Sequence, residues 1–531
     1  MKKNRLYYNG MIYTQAGEGD VTDSMAITGK TIAAVGRSLQ YDNDFRHFEK
    51  IDLKKHAVIP GLVDAHTHIY FMALSLRNAR LDGLTSIEEV LDAIATHSRK
   101  LGPEEWVTGE GFSPDRWKKY IVPDRTMLDR VTTGRPAAIF SKDTHLMWAN
   151  SKALEIAGID SRTPDPAGGR IERTADGEPT GILKEIPAYM KVLKHMKEPP
   201  PAMAQRLFNR VIEDAHKKGV TGVHSFDGPE AFYFFQRLLE VGKLGLRISY
   251  YAPSSYLSEL RKRKLNYGYG NDYLRLSGVK LFADGALGSQ TALCFNRYLG
   301  SKDNFGVEVK SIEAMVSLIK GAARLGLPCA IHAIGDKAVA NVLDAFEQAS
   351  SALIPRRSRI EHLQMIRRCD IPRLKKLGLT ASMQPSHCPS DIRLIEKYWG
   401  KRGRNCYIFK TLLENSISLA FGSDAPIERL DPLTGIENAV NRRAPGIKGV
   451  FYPEERINVA QAIFGFTAGP AYAVEQEFEC GFLLPGYKAD FVVLTDNPYT
   501  ATRSRLAGIE IEATIFDGHP VYLNPDSKLL I

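Results

Sequence analysis

The sequence is poor in cysteine for its length. Its 531 residues contain only six cysteines, and no two of them form a CxxC pair. This scarcity excludes a small disulfide-stapled fold, and it favours the reducing cytoplasm as the compartment of the protein.

Long apolar runs are missing as well. No stretch reaches the roughly 18 apolar residues that a membrane-spanning helix needs. The N-terminus, MKKNRLYYNGMIYTQ, begins with basic residues but turns polar at once, and it lacks the apolar centre of a signal peptide. We therefore expect no membrane partner.

The sequence also lacks the features of a nucleic-acid groove. Its 70 basic and 61 acidic residues leave a net charge of +9, which is mild for so long a chain. Its short basic runs carry no interleaved aromatic residues, so they fit solvated helix faces and loops. The expected partner is a small-molecule substrate, and a preference for anionic substrates stays open. The oligomeric state is open too, with a homodimer as the commonest default.

Both ends of the chain are rich in predicted strands. Turn signals at Asn9-Gly10 and Gly29-Lys30 lie between apolar runs, which is typical of β-hairpins. The last residues have the same texture in DFVVLT and IEIEATIFDG. We predict that residues 1–57 and 475–531 form one composite β-sandwich domain.

Between these ends, eight short apolar runs are typical of strands that are buried on both faces. The runs begin with HAVIPGLVDAHTHIY and continue with GVTGVHSF, LRISYYA, GVKLFADGA, PCAIHAIG, SRIEHLQ, LTASMQPSH and SISLAFGSDAP. Helix-like segments separate many of them, which favours a parallel sheet, and eight such strands close a barrel. We therefore predict an α/β fold, a (β/α)₈ TIM barrel over residues 58–69 and 219–474.

The interval 70–218 breaks this rhythm. A βα unit needs roughly 30 residues, and the interval is about five times as long. It contains the turn-rich text DPAGGRIERTADGEPTG. We predict a large insertion after the first barrel strand, a subdomain that shapes the active-site mouth. The alternative is that the interval hides further barrel strands.

The residues that carry chemistry begin with His66 and His68. Alternate residues of a strand point to the same side, so both imidazoles face the barrel mouth. Four further polar residues each lie near the C-terminal end of a later predicted strand: Lys280, His332, His362 and Asp424. Because (β/α)₈ barrels hold their active sites at that face, and imidazole is a preferred zinc ligand, the six residues predict a metal site.

Several motifs resemble the metal-dependent amidohydrolase superfamily. They are HAVIPGLVDAHTH, EHLQ and GSDAP, with Lys280 and His332 between them, and GFLLPGYKADFVVL as a return strand into the terminal sandwich. DTHLMWANSKAL, GEPTGILKE, KLFADGALGSQTA and SMQPSH are similar to the amidohydrolase family 3 branch, which includes N-substituted formamide deformylase. The resemblance covers nearly the whole chain.

The resemblance implies a role for each predicted ligand. His66 and His68 would bind the more buried metal ion. His332 and His362 would bind a second ion, which Lys280, once carboxylated by carbon dioxide, would bridge to the first. The implied cofactor is one or two divalent ions, with zinc expected and iron or manganese as alternatives.

Three residues are candidates for catalysis. Asp424 would contact the first ion and deprotonate the attacking water. His387 and His145 would overhang the ions as proton donors or oxyanion stabilisers. The candidates for substrate binding are Trp117 and Arg170 in the insertion, Glu185 at its end, which is also an alternative ligand to Lys280, and His224 at the top of the second strand.

These features predict a metal-dependent hydrolase that cuts a carbon–nitrogen bond of an amide or formamide through a metal-activated water. A deaminase of an aminated ring is the alternative on the same scaffold. Deaminase relatives typically pair a single ion with the glutamate of an HxxE motif, whereas here AIGD follows His332. A catalytically silent metal-binding protein is the third hypothesis, and the complete ligand set argues against it.

Overall fold

The computed structural model describes residues 4–17, 19–102, 105–197, 199–352 and 356–530. The outermost residues of the predicted composite domain, 1–3 and 531, lie outside this part of the chain. The described chain begins with the strands β1 (Asn4–Tyr8), β2 (Met11–Tyr13), β3 (Val21–Thr22), β4 (Ser24–Thr28), β5 (Thr31–Gly36), β6 (Glu49–Asp52) and β7 (Ala57–Pro60).

The first barrel strand and the insertion follow. They comprise β8 (Leu62–Thr67), α1 (Ile69–Ser75), β9 (Ala79–Arg80), α2 (Ile87–Ser98), β10 (Val107–Phe112), α3 (Arg125–Thr132), β11 (Ala137–Ser141), β12 (Leu146–Ala149), α4 (Ser151–Ala157), β13 (Arg170–Arg173), β14 (Pro179–Lys184) and α5 (Ile186–Leu193).

The rest of the chain returns to the barrel and then to the terminal sheet. Its elements are α6 (Pro201–Lys217), β15 (Val220–Ser225), α7 (Pro229–Glu240), β16 (Arg247–Pro253), α8 (Leu257–Lys262), β17 (Leu274–Phe282), α9 (Ile312–Ala323), β18 (Cys329–Ala333), α10 (Asp336–Gln348), β19 (Arg359–His362), α11 (Ile371–Lys376), β20 (Thr380–Met383), α12 (His387–Tyr398), α13 (Phe409–Glu414), β21 (Leu419–Phe421), α14 (Pro432–Asn441), α15 (Val459–Gly465), α16 (Ala468–Ala473), β22 (Phe491–Leu494), β23 (Ile511–Phe516) and β24 (His519–Leu523).

Eight parallel strands form a nearly closed barrel. Their order is β21-β20-β19-β18-β17-β16-β15-β8, and a parallel bridge between Thr67 and Ala425 joins the last strand to the first. Helices such as α6 and α10 cover the outside and bury apolar residues on one face. Each predicted run overlaps one of these strands, so the predicted (β/α)₈ TIM barrel is confirmed.

Strands from both ends of the chain share one sheet beside the barrel. Its order is β24-β23-β22-β7-β2-β3, and the sheet β5-β4-β1-β6 packs against it around a common apolar core. The strand β7 belongs to this sheet, and the first strand of the barrel, β8, begins at Leu62. Terminal strands thus form mixed sheets, whereas the predicted limits of the three units stay a prediction.

One of the two predicted hairpins is wrong. Gly29-Lys30 does join the antiparallel pair β4 and β5. Asn9-Gly10 instead carries the chain from one sheet to the other, because β1 pairs with β4 and β6 while β2 pairs with β3 and β7. A Cβ at Gly10 would lie 2.6 Å from Leu53 Cδ1, so close packing between the sheets explains this glycine.

The insertion has a sheet of its own. Its order is β13-β14-β12-β11-β10-β9, with one apolar cluster on each face. The alternative that this interval hides barrel strands is therefore wrong. In the part of the chain that the structure describes, we find no helix with the length and apolar character that crossing a bilayer requires.

Candidate metal centre

Three predicted ligands meet at the carboxyl mouth of the barrel. The ligand atoms of His66, His362 and Asp424 all lie within 4.8 Å of one another, and all three residues are buried. His66 is on β8, His362 ends β19, and Asp424 follows β21. Asp424 Oδ1 lies 3.5 Å from His66 Nε2 and 3.4 Å from His68 Nε2, so His68 joins the same cluster.

The turn that holds Asp424 requires close backbone approach. Asp424 has a φ of +61° and its N–H donates to the carbonyl of His66 over 2.7 Å. A Cβ at Gly422 would lie 2.4 Å from His66 N, so only glycine fits there. The buried carboxylate of Asp64 accepts hydrogen bonds from the N–H groups of His66 and Ser423, at 3.1 and 2.9 Å. It therefore links His66 to the residue that precedes Asp424.

Hydrogen bonds at the Nδ1 atoms orient both imidazoles. His66 Nδ1 lies 2.5 Å from Glu361 Oε2, and His362 Nδ1 lies 2.8 Å from Gln384 Oε1. These partners leave each Nε2 free to face the cluster, as in metal sites whose ligands are fixed by outer hydrogen bonds. Burial and the Lys280 ammonium lower the pKa of His66 to about 4, and burial lowers that of His362, so both rings are neutral ligands.

Glu361 is itself held by a buried arginine. Arg359 Nε donates to Glu361 Oε1, Nη1 contacts His224 Nδ1 at 2.8 Å, and Nη2 donates to the carbonyl of Ala65 at 2.6 Å. Burial alone would raise the pKa of Glu361, but Arg359 and His66 hold it well below its usual range. An ionised Glu361 therefore orients His66, and not its neighbour His362.

The predicted ligands Lys280 and His332 lie beside this cluster. Lys280 Nζ is buried 3.4 Å from His66 Nε2, and burial lowers its pKa to about 8. The ring of His332 lies 4.5 Å from that of His362, between centroids, but its Nε2 contacts the carbonyl of Gly285 at 3.0 Å. The structure thus brings both residues to the site without joining them to the close triad.

Two further histidines overhang the cluster. His387 Nε2 lies 3.8 Å from Asp424 Oδ2 and has no hydrogen-bond partner among the described residues. His145 Nδ1 contacts Glu185 Oε2 at 2.7 Å, and its ring lies 5.5 Å from that of His332, between centroids. Burial disfavours the imidazolium of His145, yet the Glu185 carboxylate outweighs this and raises its pKa to about 9. The structure therefore brings His387, His145 and Glu185 to the mouth.

Three residues predicted to bind substrate lie elsewhere. His224 is buried beneath the cluster, where its Nδ1 contacts Arg359. Trp117 packs in a core of the insertion with its ring only 6% exposed. Arg170 is at the surface, its side chain 64% exposed and paired with Glu172. None of these three described residues lines the cavity over the cluster, so their substrate-binding roles stay predictions without a contact to that cavity.

The cluster lies at the bottom of a cavity of about 1050 Å³. His66, His68, His362 and Asp424 line its lower end, and the insertion forms much of the opposite wall. The HxxE position of a deaminase, three residues after His332, is Gly335 here. The next residue, Asp336, begins α10 and accepts the N–H of Phe295, so it takes no part in the cluster. The arrangement leaves room for a small molecule directly above the predicted ligands.

A (β/α)₈ barrel with buried histidines and an aspartate at its carboxyl mouth, beneath a large cavity, defines a metal-dependent hydrolase. The chain belongs to the amidohydrolase family, whose sequence profile matches residues 49–522. The protein YtcJ of Bacillus subtilis (strain 168) is 32% identical over 97% of this chain and 99% of its own. The N-substituted formamide deformylase of Arthrobacter pascens is 25% identical over 97% of this chain and 98% of its own.

A solved structure agrees with this assignment. An uncharacterized metal-dependent hydrolase from Pyrococcus horikoshii OT3 superimposes with a TM-score of 0.78 at 28% identity, over 94% of this chain and 99% of that one. The predicted superfamily and branch are therefore confirmed. The residues present also fit a metal ion, because the cluster offers neutral imidazoles and an ionised carboxylate with their outer hydrogen bonds in place.

Proposed function

We propose that this protein hydrolyses a carbon–nitrogen bond of an amide or formamide, using a water activated by a divalent ion, zinc by preference. The observation that carries the proposal is the convergence of His66, His362 and Asp424 at the bottom of the cavity. His66, His68 and Asp424 would hold one ion, and His332 with His362 a second. When bound, such an ion supplies Lewis acidity and lowers the pKa of water toward neutrality.

Asp424 is placed to move the proton of the attacking water. Burial raises the pKa of an isolated carboxyl, but the imidazoles around Asp424 hold its pKa well below the usual range. Its Oδ2 faces the buried and unpartnered Nε2 of His387 at 3.8 Å. We propose that water oxygen bonds to the carbonyl carbon as its proton passes to Asp424. That proton then reaches the leaving nitrogen as the C–N bond breaks, with His387 as donor.

His145 and Glu185 come from the insertion, and His145 faces the same cavity with the buried Glu185 behind its ring. Glu185 accepts at one oxygen from His145 Nδ1, which fixes the ring and leaves Nε2 for the substrate. We propose that His145 stabilises the oxyanion that develops on the carbonyl oxygen. The insertion would then complete the site as well as cover it.

Lys280 is proposed to carry a carboxylate made from carbon dioxide. Its Nζ is buried beside His66, over the faces of Phe226 and Phe282 at 4.6 and 5.0 Å. A cation at that place would repel metal ions, whereas an N–C bond to carbon dioxide, with loss of a proton, would give an anionic bridging ligand. Burial supports this proposal, because it lowers the pKa of Lys280 to about 8 and so favours the neutral amine that reacts with carbon dioxide.

Replacing His66 and His68 together with alanine is expected to remove metal. Elemental analysis of wild type purified with zinc should find two ions per chain, and the double variant should lose at least the ion that His66 and His68 would hold, leaving about one or fewer. One ion in wild type would contradict the bridging role of Lys280. Unchanged metal content in the variant would contradict the site itself. His47→Ala with His519→Ala, two exposed histidines, provides the matched control.

The reaction is tested with a panel of substrates offered to the zinc-loaded protein. The panel contains N-substituted formamides, the corresponding acetamides, cyclic amides and aminated heteroaromatic rings. We expect release of amine from a formamide or amide, measured by chromatography, and its loss after chelation of the metal. Release of ammonia from the rings alone would favour the deaminase. Turnover of none of them by a metal-loaded protein would contradict the proposal.

A further inference from the structure

Helix α5 is apolar on two faces. Ala188 and Val192 point into a core of the insertion. A second stripe at helical spacing lines the cavity: Ile186, Tyr189, Met190 and Leu193. Met190 is 45% exposed there. Tyr189 and Leu193 also pack against that core, but all four residues keep a side toward the cavity, so the stripe offers an apolar wall to a bound molecule.

Aromatic rings continue the stripe toward the barrel. Phe140 lies edge-on to Tyr189 at 5.4 Å and to Phe71 at 6.0 Å, measured between ring centroids. All three rings line the same cavity as the metal cluster. Tyr189 also lies one helical turn after Glu185, the partner of His145. The apolar wall therefore begins beside the reacting groups and extends away from them along the insertion.

Three of the four insertion cations that line this cavity are already engaged, and the fourth, Arg116, is exposed. Lys142 is paired with Glu428 at 2.7 Å, and Lys184 with Glu172 at 2.6 Å. Arg173 donates to main-chain carbonyls, among them that of Gly177 at 3.0 Å. A substrate carboxylate placed against the stripe would lose water without gaining one of these cations as a partner. The wall therefore disfavours an anionic substituent, although the chain as a whole is basic.

We propose that the inserted subdomain selects the substrate, and that the group beside the scissile bond is uncharged, bulky and apolar. It lies against the α5 stripe and the rings of Phe71, Phe140 and Tyr189. This inference rests on the proposed function only for the position of the scissile bond. Met190 is a specificity-determining residue, because it is the exposed member of the stripe and contacts the outer part of the bound group.

Binding is measured with sulfonamides, whose tetrahedral sulfur resembles the tetrahedral intermediate of amide hydrolysis and which are not hydrolysed in the same way. The probes are N-methylmethanesulfonamide, its N-benzyl analogue, and the N-benzyl analogue with a para-carboxylate. Isothermal titration of the zinc-loaded protein should give about tenfold or more tighter binding for benzyl than for methyl, since a phenyl ring becomes buried. The carboxylate probe should bind at least about tenfold more weakly than the benzyl probe.

Lysine substitutions at Met190 and at a control position test whether the α5 stripe causes the difference in affinity between the benzyl and methyl probes. Met190→Lys should lower the benzyl-to-methyl affinity ratio about tenfold, because it places a charge in the apolar wall. Met190→Ala should lower it less, since it removes only contact area. Ile156→Lys is the matched control, because Ile156 is 38% exposed on α4 of the same subdomain and does not line the cavity. We expect it to keep the wild-type ratio.

The outcomes separate this inference from the proposed function. The expected binding order without hydrolysis of any formamide or amide would overturn the proposed reaction and leave the apolar subsite standing. Hydrolysis that is equally fast for N-methyl and N-benzyl formamides would overturn the subsite alone. Equal affinity of the methyl and benzyl probes, tighter binding of the carboxylate, no binding of any probe, or the same response from Met190→Lys and Ile156→Lys would also overturn it.

Discussion

Replacement of Asp424 with asparagine is expected to lower turnover of the best panel substrate by about 10³-fold or more. The change keeps the shape of the side chain but removes the group that accepts the proton, and positioned acid–base groups contribute about 10²–10⁴-fold. The rings of His66 and His362 keep their Nδ1 partners, Glu361 and Gln384, so the ligands stay in place. Steady-state kinetics should show the loss in kcat rather than in KM.

Two measurements keep this test specific. Metal content of Asp424→Asn should stay near that of wild type, because the histidine ligands are intact. Asp303→Asn, at an exposed loop position, provides the control for the same chemical change and should leave kcat within about twofold. Turnover retained by Asp424→Asn with a full complement of metal would rule out Asp424 as the base.

Replacement of Arg359 with methionine is expected to destabilise the protein by about 3–5 kcal/mol. Arg359 and Glu361 are both fully buried, so the variant leaves an uncompensated carboxylate inside the barrel. It also removes the donor to the carbonyl of Ala65. Urea denaturation followed by tryptophan fluorescence should show the midpoint moved far below that of wild type.

The control pair is Arg162 and Asp160. It has the same two-residue separation, but the arginine side chain is 90% exposed, and exposed pairs contribute about 0–1 kcal/mol. Arg162→Met should therefore leave the midpoint nearly unchanged. Arg359→Met with Glu361→Met should recover part of the lost stability, because no charge is left unpaired. This double variant should bind zinc more weakly than wild type, since His66 loses its Nδ1 partner. A single Arg359→Met variant as stable as Arg162→Met would contradict the role of the buried pair.

The barrel and its ligands could be predicted because they depend on local pattern. Strands buried on both faces are apolar along their length, and their ends carry the polar residues of the mouth. His66, His362 and Asp424 each follow such a run, so their convergence follows from the parallel topology alone. Because eight parallel strands close into a barrel, these three residues lie around one opening.

The contacts that tune the site could not be predicted in this way. Glu361 lies next to His362 in sequence, yet it bonds to His66, which is 295 residues away. The pleat explains this, since neighbours on a strand point to opposite sides. Gln384, which does hold His362, and Asp64, which joins the two ends of the barrel, carry no local signal of those roles. Their partners are defined only when the barrel closes.

The roles of large aromatic and apolar residues could not be predicted for a related reason. Trp117 and an apolar stripe such as that of α5 look alike in sequence, because burial in a core and contact with a ligand both favour large apolar side chains. The structure separates them: Trp117 packs within the insertion, while Met190 faces open space. Asn9-Gly10 shows the same ambiguity among turns, since a sharp reversal suits both a hairpin and a crossing between two sheets.

The central position of β7 in the terminal sheet has a consequence for biosynthesis. Its partner on one side, β2, is made before it, whereas its partner on the other side, β22, leaves the ribosome only after the whole barrel has been translated. Until then β7 presents an open edge of backbone donors and acceptors, which is a template for aggregation. Nascent chains and products of premature termination should therefore depend on chaperones until the last strands arrive.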